Sequence, residues 1–342
     1  MRLEQPGWWH GKRPADRLKA ALLAPAGFLY GSAAKARFAL AKPYRSALPV
    51  ICVGNFTVGG AGKTPLALAI AAMVEAIGCQ PAFLTRGYGG SLAGPHRVEL
   101  ERDSAAEVGD EPLLLARAAP TIVARERLAG AKAIEALGAD LIIMDDGFQN
   151  PSLVKDLSLI AIDAGAGFGN GHVFPAGPLR APLRYQIRRA HAAVIIGKGT
   201  KHVTRRLGGR LPVIRARLAP YGGSEWLDGQ PVFAFCGIGR PRKFFATLAE
   251  CGAVLAGAEP FPDHHAFTEA EAAQLIRQAA QLNAALVTTE KDWLRISAPA
   301  GPLAELKALA RPLAVRIAFR RDGETRLQSL IKEMLAQRNG SG

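Results

Sequence analysis

VICVGNFTVGGAGKT, residues 50–64, is the stretch whose reading decides the fold. It opens on an unbroken apolar run, the pattern of a strand buried on both faces of a parallel sheet. The run then breaks into Gly59, Gly60 and Gly62 and ends in Lys63-Thr64. Glycines at such a turn let backbone N–H groups close around phosphate oxygens. Lys63 adds a mobile positive charge, and the Thr64 hydroxyl can ligate magnesium in the first turn of the next helix. The strict pattern G-x-x-x-x-G-K-[ST] is missed by one residue, because Thr57 stands where its first glycine belongs. A glycine-rich turn with no ligand would read the same locally. The sequence that follows favours a phosphate loop, since PLALAIAAMVEAIG has helical spacing and begins with Pro65, whose missing N–H is harmless in a first turn.

Around this loop, apolar strand runs alternate with helical patterns. The runs are 48–54, 81–86, 120–124, 140–145, 157–163 and 192–197. A second unit begins near Pro231 with VFAFCGI, followed by a helix at PRKFFATLAECG, the strand AVLAGA, a helix at TEAEAAQLIRQAAQLN and then ALVTTEKDW. This alternation predicts an α/β fold: a P-loop NTPase-like, mostly parallel sheet with helices on both faces, plus a smaller C-terminal α/β lobe. The expected division is an N-terminal segment 1–46, a nucleotide-binding core 47–228 and a lobe 229–335. The closing RNGSG reads as a flexible end.

Charge points to an anionic partner. The 342 residues carry a formal net charge of +14, and it is unevenly spread. Residues 1–45 hold nine Lys/Arg against Glu4 and Asp16, and residues 164–224 hold eleven Lys/Arg and no acid. Such fields suit nucleic acid, or an anionic membrane together with a phosphorylated substrate. The uncharged stretch AALLAPAGFLYGSAA in the N-terminal segment is shorter than the ~20 residues needed to cross a bilayer, so it cannot span. Basic residues bracket it, and Trp8, Trp9, Phe28 and Tyr30 stand as candidate interfacial anchors, so it can lie on a membrane surface. An ordinary helix packed on the core is the alternative. The four cysteines are scattered without C-x-x-C spacing, which suits buried thiols better than disulfides or a zinc site.

Further constellations carry chemical promise. LIIMDDGFQN delivers Asp145 and Asp146 to the C-terminal end of a buried strand, where a carboxylate can reach magnesium held by Thr64. In VGDEPLLLARAAP, Asp110 and Glu111 precede a helical run. They read either as a cap with dipole support or as a carboxylate that deprotonates a hydroxyl nucleophile. FPDHHAFTEAEAAQL sets Asp263, His264 and His265 in a loop before a helix capped by Thr268. No second His/Cys cluster completes a metal site, so a catalytic histidine beside a carboxylate fits better. TRGYGG offers Arg86 and Tyr88 from an exposed loop. GFGNGHVFPAGPLRAPL is a rigid loop whose Arg180 and Arg184 would share a face if it turned helical, and which can otherwise be a plain connection.

VGNFTVGGAGKTP, TRGYGG, GDEPLLLA, DDGFQN, GFGNGHVFPAGPLR, FAFCGIGRPRKFFATL, FPDHHAFT and TEKD resemble, in order and spacing, the motifs of the lipid A 4′-kinases (tetraacyldisaccharide 4′-kinases), and the resemblance covers nearly the whole chain. It implies transfer of the ATP γ-phosphoryl group to the 4′-hydroxyl of an acylated glucosamine disaccharide 1-phosphate at the cytoplasmic face of the bacterial inner membrane. Carried over residue by residue, Thr57, Val58, Gly59, Gly60, Ala61, Gly62, Lys63 and Thr64 would hold ATP. Thr64 with Asp145 or Asp146 would hold Mg2+, Asp110 would be the base, and His264 its partner. Arg86, Tyr88 and Arg180 would contact substrate. The chain departs from the family in Ala181, where a Glu is usual, and in Asn150, where a His is common. The competing classes are an NTPase acting on nucleic acid and a nucleotide-switched peripheral membrane protein. The first lacks interleaved aromatics in the acid-free region, and the second has no need of a base. No obligate protein partner is evident.

Overall fold

The computed structural model describes residues 6–11 and 13–339, so the last three residues of RNGSG lie outside it. The strands, in chain order, are β1 (Val50–Gly54), β2 (Pro81–Thr85), β3 (His96–Arg97), β4 (Thr121–Val123), β5 (Leu141–Asp145), β6 (Leu157–Asp163), β7 (Ala192–Ile196), β8 (Val213–Pro220), β9 (Pro231–Cys236), β10 (Val254–Pro260), β11 (Ala285–Thr289), β12 (Arg311–Leu313) and β13 (Val315–Phe319). One nine-stranded sheet runs β13-β8-β7-β6-β1-β5-β2-β4-β3, and a four-stranded sheet runs β10-β9-β11-β12. The larger sheet is parallel except at its edges, where β3 and β13 are antiparallel to their neighbours. Every residue of β1, β2, β5, β6 and β7 is buried. That is why those strands were legible as mainly apolar runs, with buried Ser158 inside β6.

The helix Lys63–Glu75 covers one face of the larger sheet with Leu66, Ile70 and Val74, all fully buried. Each such side chain contributes about 1.5–3 kcal/mol. The helix Gly323–Asn339 joins the same core through Leu327, Ile331 and Met334, one turn apart along one face. This terminal helix, with β8 and β13, was not expected. In β8 the buried Ile214 and Ala216 alternate with exposed Arg215 and Arg217, and the strand reads locally as part of the basic region. The smaller sheet spans 231–313, after which the chain returns to the larger sheet. The stretch expected as one lobe, 229–335, therefore includes an edge strand and a covering helix of the larger sheet.

The helix Pro14–Ala39 lies against the protein by its small residues. Ala20, Gly27 and Gly31 are buried, while Leu18, Leu22, Phe28 and Leu29 face outward. No described helix is long and apolar enough to cross a membrane. Trp9 departs from expectation: it is 4% exposed, its ring packs edge-on against Phe174 and its Nε1 donates to the Pro175 carbonyl at 3.2 Å. It is a core residue, not an interfacial anchor.

Candidate active site

Register brings the acidic pair to the phosphate loop. β1 pairs with β5 so that Val53 lies beside Asp145, two residues before Asn55 and the loop. The loop is held from both sides. Asn55 Nδ2 donates to Gly59 O at 2.8 Å, and Val58 N donates to Pro178 O at 2.8 Å. Arg180 N donates to Phe56 O at 2.9 Å, and Gln149 Nε2 to Asn55 O at 2.8 Å. The PAGPLR segment is thus a buttress of the phosphate loop and not a plain connection. Gly62 caps the helix at φ +83°, and a Cβ there would lie 2.8 Å from Ile196 Cδ1, so only glycine fits the turn.

Thr64 Oγ1 donates to Asp145 Oδ2 at 3.4 Å, and Lys63 Nζ lies 3.6 Å from Asp146 Oδ2. Arg180 Nη2 lies 3.5 Å from the same Asp146 oxygen. Burial raises the Asp146 carboxyl, but Lys63 and Arg180 outweigh it and hold the group below the usual carboxylate range. Asp145 is pushed up to about 7 by burial and then by the charge of Glu111. Oδ1 of both aspartates is buried without a hydrogen-bond partner. Orphaned carboxylate oxygens cost free energy, and beside the Thr64 hydroxyl they are the hard oxygen donors that suit magnesium. No cluster of three or more His, Cys, Asp or Glu able to hold a metal exists among the described residues. A magnesium ion here would complete its shell with nucleotide phosphate and water.

A second constellation is assembled across the cleft between the sheets. Asp110 begins the helix Asp110–Ala116, set by Gly109 at φ +92°, where a Cβ would meet Tyr88 O at 2.7 Å. His264 Nδ1, from the smaller unit, lies 3.3 Å from Asp110 Oδ2. Arg295 bonds the same oxygen and also pairs with the fully buried Asp292 at 2.6 Å. Glu111 pairs with Lys291 at 2.6 Å. Burial alone would raise Asp110, but His264, Lys291 and Arg295 hold it well below the usual range. The bond to Asp110 in turn holds His264 above its ordinary value, against the effect of burial. His264 and Asp146 both sit at positive φ, 58° and 52°, a strained backbone of the kind that gathers at functional sites.

The doublet of histidines is thereby divided. His265 Nε2 is 3.0 Å from Glu271 of the helix cap, whereas His264 meets Asp110. The Tyr88 ring lies 5.4 Å from the His264 ring, and Arg86 is exposed at the end of β2. Both line a cleft of about 1800 Å³ with the phosphate loop, Asp110, Asp146 and Arg180. Arg180 turns to the nucleotide end, where its Nε donates to Thr57 O at 3.2 Å. Arg184 does not share a face with it: Arg180 precedes the helix Leu183–Ile187, and Arg184 points to solvent. Asn150 uses Oδ1 to accept from Ser152, and Ala181 is buried with its carbonyl bonded to Gln186. Sequence reading missed Lys291 and Arg295 as site residues. It also missed Asp163 at the end of β6, paired with Arg240 at 2.5 Å and with Lys243 across the cleft. Locally Lys291 and Arg295 are basic residues of a short helix and Asp163 is a strand end that accepts from Gly165 N and Ala166 N, while the partners across the cleft lie far away in sequence.

A family model described as tetraacyldisaccharide-1-P 4′-kinase matches residues 19–336. A tetraacyldisaccharide 4′-kinase of Methylobacterium sp. (strain 4-46) is 52% identical over 338 residues, covering 97% of this chain and 98% of its own length. One from Rhodospirillum centenum is 44% identical over 342 residues, with 99% of each chain covered. The crystal structure of the "apo" form of LpxK from Aquifex aeolicus in complex with ATP matches with a TM-score of 0.73 at 26% identity, over 92% of this chain and 99% of that one.

Proposed function

This chain belongs to the tetraacyldisaccharide-1-P 4′-kinase family, and we propose that its cleft carries the γ-phosphoryl group of ATP to the 4′-hydroxyl of an acylated glucosamine disaccharide 1-phosphate, a step of lipid A biosynthesis. The activity is that of an ATP-dependent kinase with an alcohol acceptor. The observation that carries the residue assignment is the meeting of Asp110 and His264 in the same cleft as the phosphate loop.

Gly59 to Thr64 turn backbone N–H groups and the helix N-terminus toward the nucleotide phosphates. Lys63 and Arg180 face the charge that spreads over the phosphoryl oxygens during transfer. Thr64, Asp145 and Asp146 would hold magnesium, which would supply positive charge to offset that of the nucleotide phosphates. On the acceptor side the hydroxyl proton goes to the Asp110–His264 pair. Asp110 orients His264, and the two share the incoming proton as one base. Arg295 holds Asp110 in place and keeps its carboxylate ionised. Tyr88 and Arg86 flank the acceptor.

The lipid acceptor gives the outward apolar side chains of the helix Pro14–Ala39 a role. Leu22, Phe28 and Leu29 would enter the headgroup boundary of the bacterial inner membrane from its cytoplasmic face, with Lys19 and Lys35 on anionic headgroups. Arg37 of that helix bonds the Gln149 carbonyl at the cleft edge, which links the membrane contact to the site. The testing experiment is transfer of labelled γ-phosphate from ATP to purified disaccharide 1-phosphate lipid, in detergent with magnesium, by the wild type and by Lys63→Ala. Label in the lipid, lost in the variant, is the expected result. Label released only as free phosphate would mean that the acceptor is wrong.

A further inference from the structure

A guanidinium held among rings stands next to the acidic turn. Arg189 follows the helix Leu183–Ile187 and is half-buried. Its Cζ lies 3.3 Å from the centroid of the Phe38 ring, 5.1 Å from that of Phe148 and 5.4 Å from that of Tyr185. The rings come from three segments: the last turn of the helix Pro14–Ala39, the turn after β5, and the helix Leu183–Ile187. Burial pulls the guanidinium below its ordinary value, a desolvation cost that an apolar side chain of similar reach would not carry. What the cation adds is direction, because its attraction to a ring depends on which face the ring presents.

Phe148 carries this direction toward the cleft. It stands two residues after Asp146 and is fully buried. Its ring lies 5.6 Å from that of Phe56, and a Cβ on Gly54, the last residue of β1, would lie 2.4 Å from Phe148 Cβ. The ring is thus lodged where β1 passes into the phosphate loop. Between β5 and Phe148 the chain turns at Asp146, whose φ of 52° is left-handed. A non-glycine residue keeps such a conformation only when its surroundings over-determine it. The carboxylate directed by that turn is the one that meets Lys63 and Arg180.

The same helix reaches the turn a second time. The Gln149 carbonyl accepts from Arg37, the neighbour of Phe38, while Gln149 Nε2 donates to Asn55 O at 2.8 Å. Asp146 and Gln149 line the cleft, whereas Arg189 is not among the lining residues. Arg189 therefore acts on the site through Phe148.

We infer that Arg189 is a positioning residue for the acidic turn: stacked on Phe38 and set against Phe148, it fixes the turn that aims Asp146, and it makes the helix Pro14–Ala39 part of the support of the nucleotide site. The inference rests on the nucleotide half of the kinase reading above and uses nothing of the lipid acceptor.

Two replacements separate this role from plain packing. Arg189→Lys keeps a cation, and Arg189→Met keeps an apolar stem without charge. The readout is calorimetric titration of the full chain with a non-hydrolysable ATP analogue, once with magnesium and once with EDTA. Groups that orient metal-binding side chains change metal affinity by ~10–100-fold when replaced, so in Arg189→Met the strengthening of analogue binding by magnesium should shrink by about 10-fold, with binding in EDTA changed less than about 2-fold. The melting temperature should be unchanged or raised, since a half-buried charge is removed. Arg189→Lys, a cation without the planar fork, should fall between wild type and Arg189→Met. Phe38→Leu should weaken the same response to magnesium, and the double variant should lose no more than the larger single loss, as two groups on one route do. If Arg189→Met does not fold, Phe38→Leu carries the titration. A wild-type response to magnesium in Arg189→Met and Phe38→Leu overturns the inference, and so does an equal loss with magnesium and with EDTA. A wild type that bound no nucleotide would overturn it together with the kinase reading. Normal titrations without transfer to the lipid would sink the acceptor alone and leave the titrations to decide the role of Arg189.

Discussion

Asp110 Oδ2 and His264 Nδ1 meet at 3.3 Å although they come from opposite walls of the cleft. The carboxylate opens a helix under the larger sheet, and the imidazole sits in the loop that follows β10 of the smaller one. A base assembled in this way exists only while the cleft holds its shape.

Replacing Asp110 with Asn keeps the shape of the side chain and removes its charge. We expect kcat to fall by ~10²–10⁴-fold, the usual contribution of a general base, with KM for ATP changed less than about 2-fold. Steady-state kinetics in both substrates checks this. Equal damage to ATP affinity would make Asp110 a structural cap.

The acid limb of activity should belong to His264. The Asp110 bond, against burial, raises its pKa above the ordinary 6.5, and the pair accepts a proton only when His264 is neutral. kcat/KM therefore rises with pH through that raised value. In His264→Gln, activity should be low and this limb absent. A wild-type profile flat between about pH 6 and 8 would remove His264 from the proton path. Stability runs in the opposite sense: the protonated contact stabilises the fold fully below pH 6.5 and is lost as pH rises through the folded-state value.

The pair Glu111–Lys291 spans the cleft with both side chains about a quarter exposed. Glu111→Gln leaves Lys291 without its counter-charge, and we expect a loss of about 1–3 kcal/mol, below the range for fully buried pairs because water reaches both groups. Adding Lys291→Met should restore part of it. Thermal melting of the single and double variants measures the coupling, and additive losses would mean that the two groups do not interact.

The proposed membrane contact predicts that Leu22→Glu with Phe28→Glu weakens sedimentation with anionic vesicles at least ~10-fold, since each exposed apolar side chain contributes about 1.5 kcal/mol or more when buried in lipid. The soluble ATP site should be untouched. Undiminished sedimentation would move the contact to the arginine-rich segment.

Much of this molecule is written locally. β1, β5 and β7 are apolar runs because both faces of a parallel sheet are covered, and the glycines of the phosphate loop declare a turn in which Gly59 and Gly62 sit at φ +98° and +83°. The acidic pair after β5 is legible for the same reason, as polar residues at the end of an apolar run. β8 and β13 are not, since an edge pair with one open face alternates arginine with small apolar residues and imitates a polar loop. Trp9 misleads in the other direction, because an aromatic among basic residues looks interfacial until Phe174 and Pro175 close over it.

The sequence by itself therefore determined the class of fold, the phosphate loop and the residue types of the site, all of which depend on neighbours within a turn or a strand. Tertiary structure alone decided which histidine meets Asp110, and that Arg295 and Lys291 complete that contact. Those facts depend on charges brought together from distant segments by the packing of two sheets. Their energies arise from desolvation and Coulomb interactions at a few ångströms, which no local pattern of residues records.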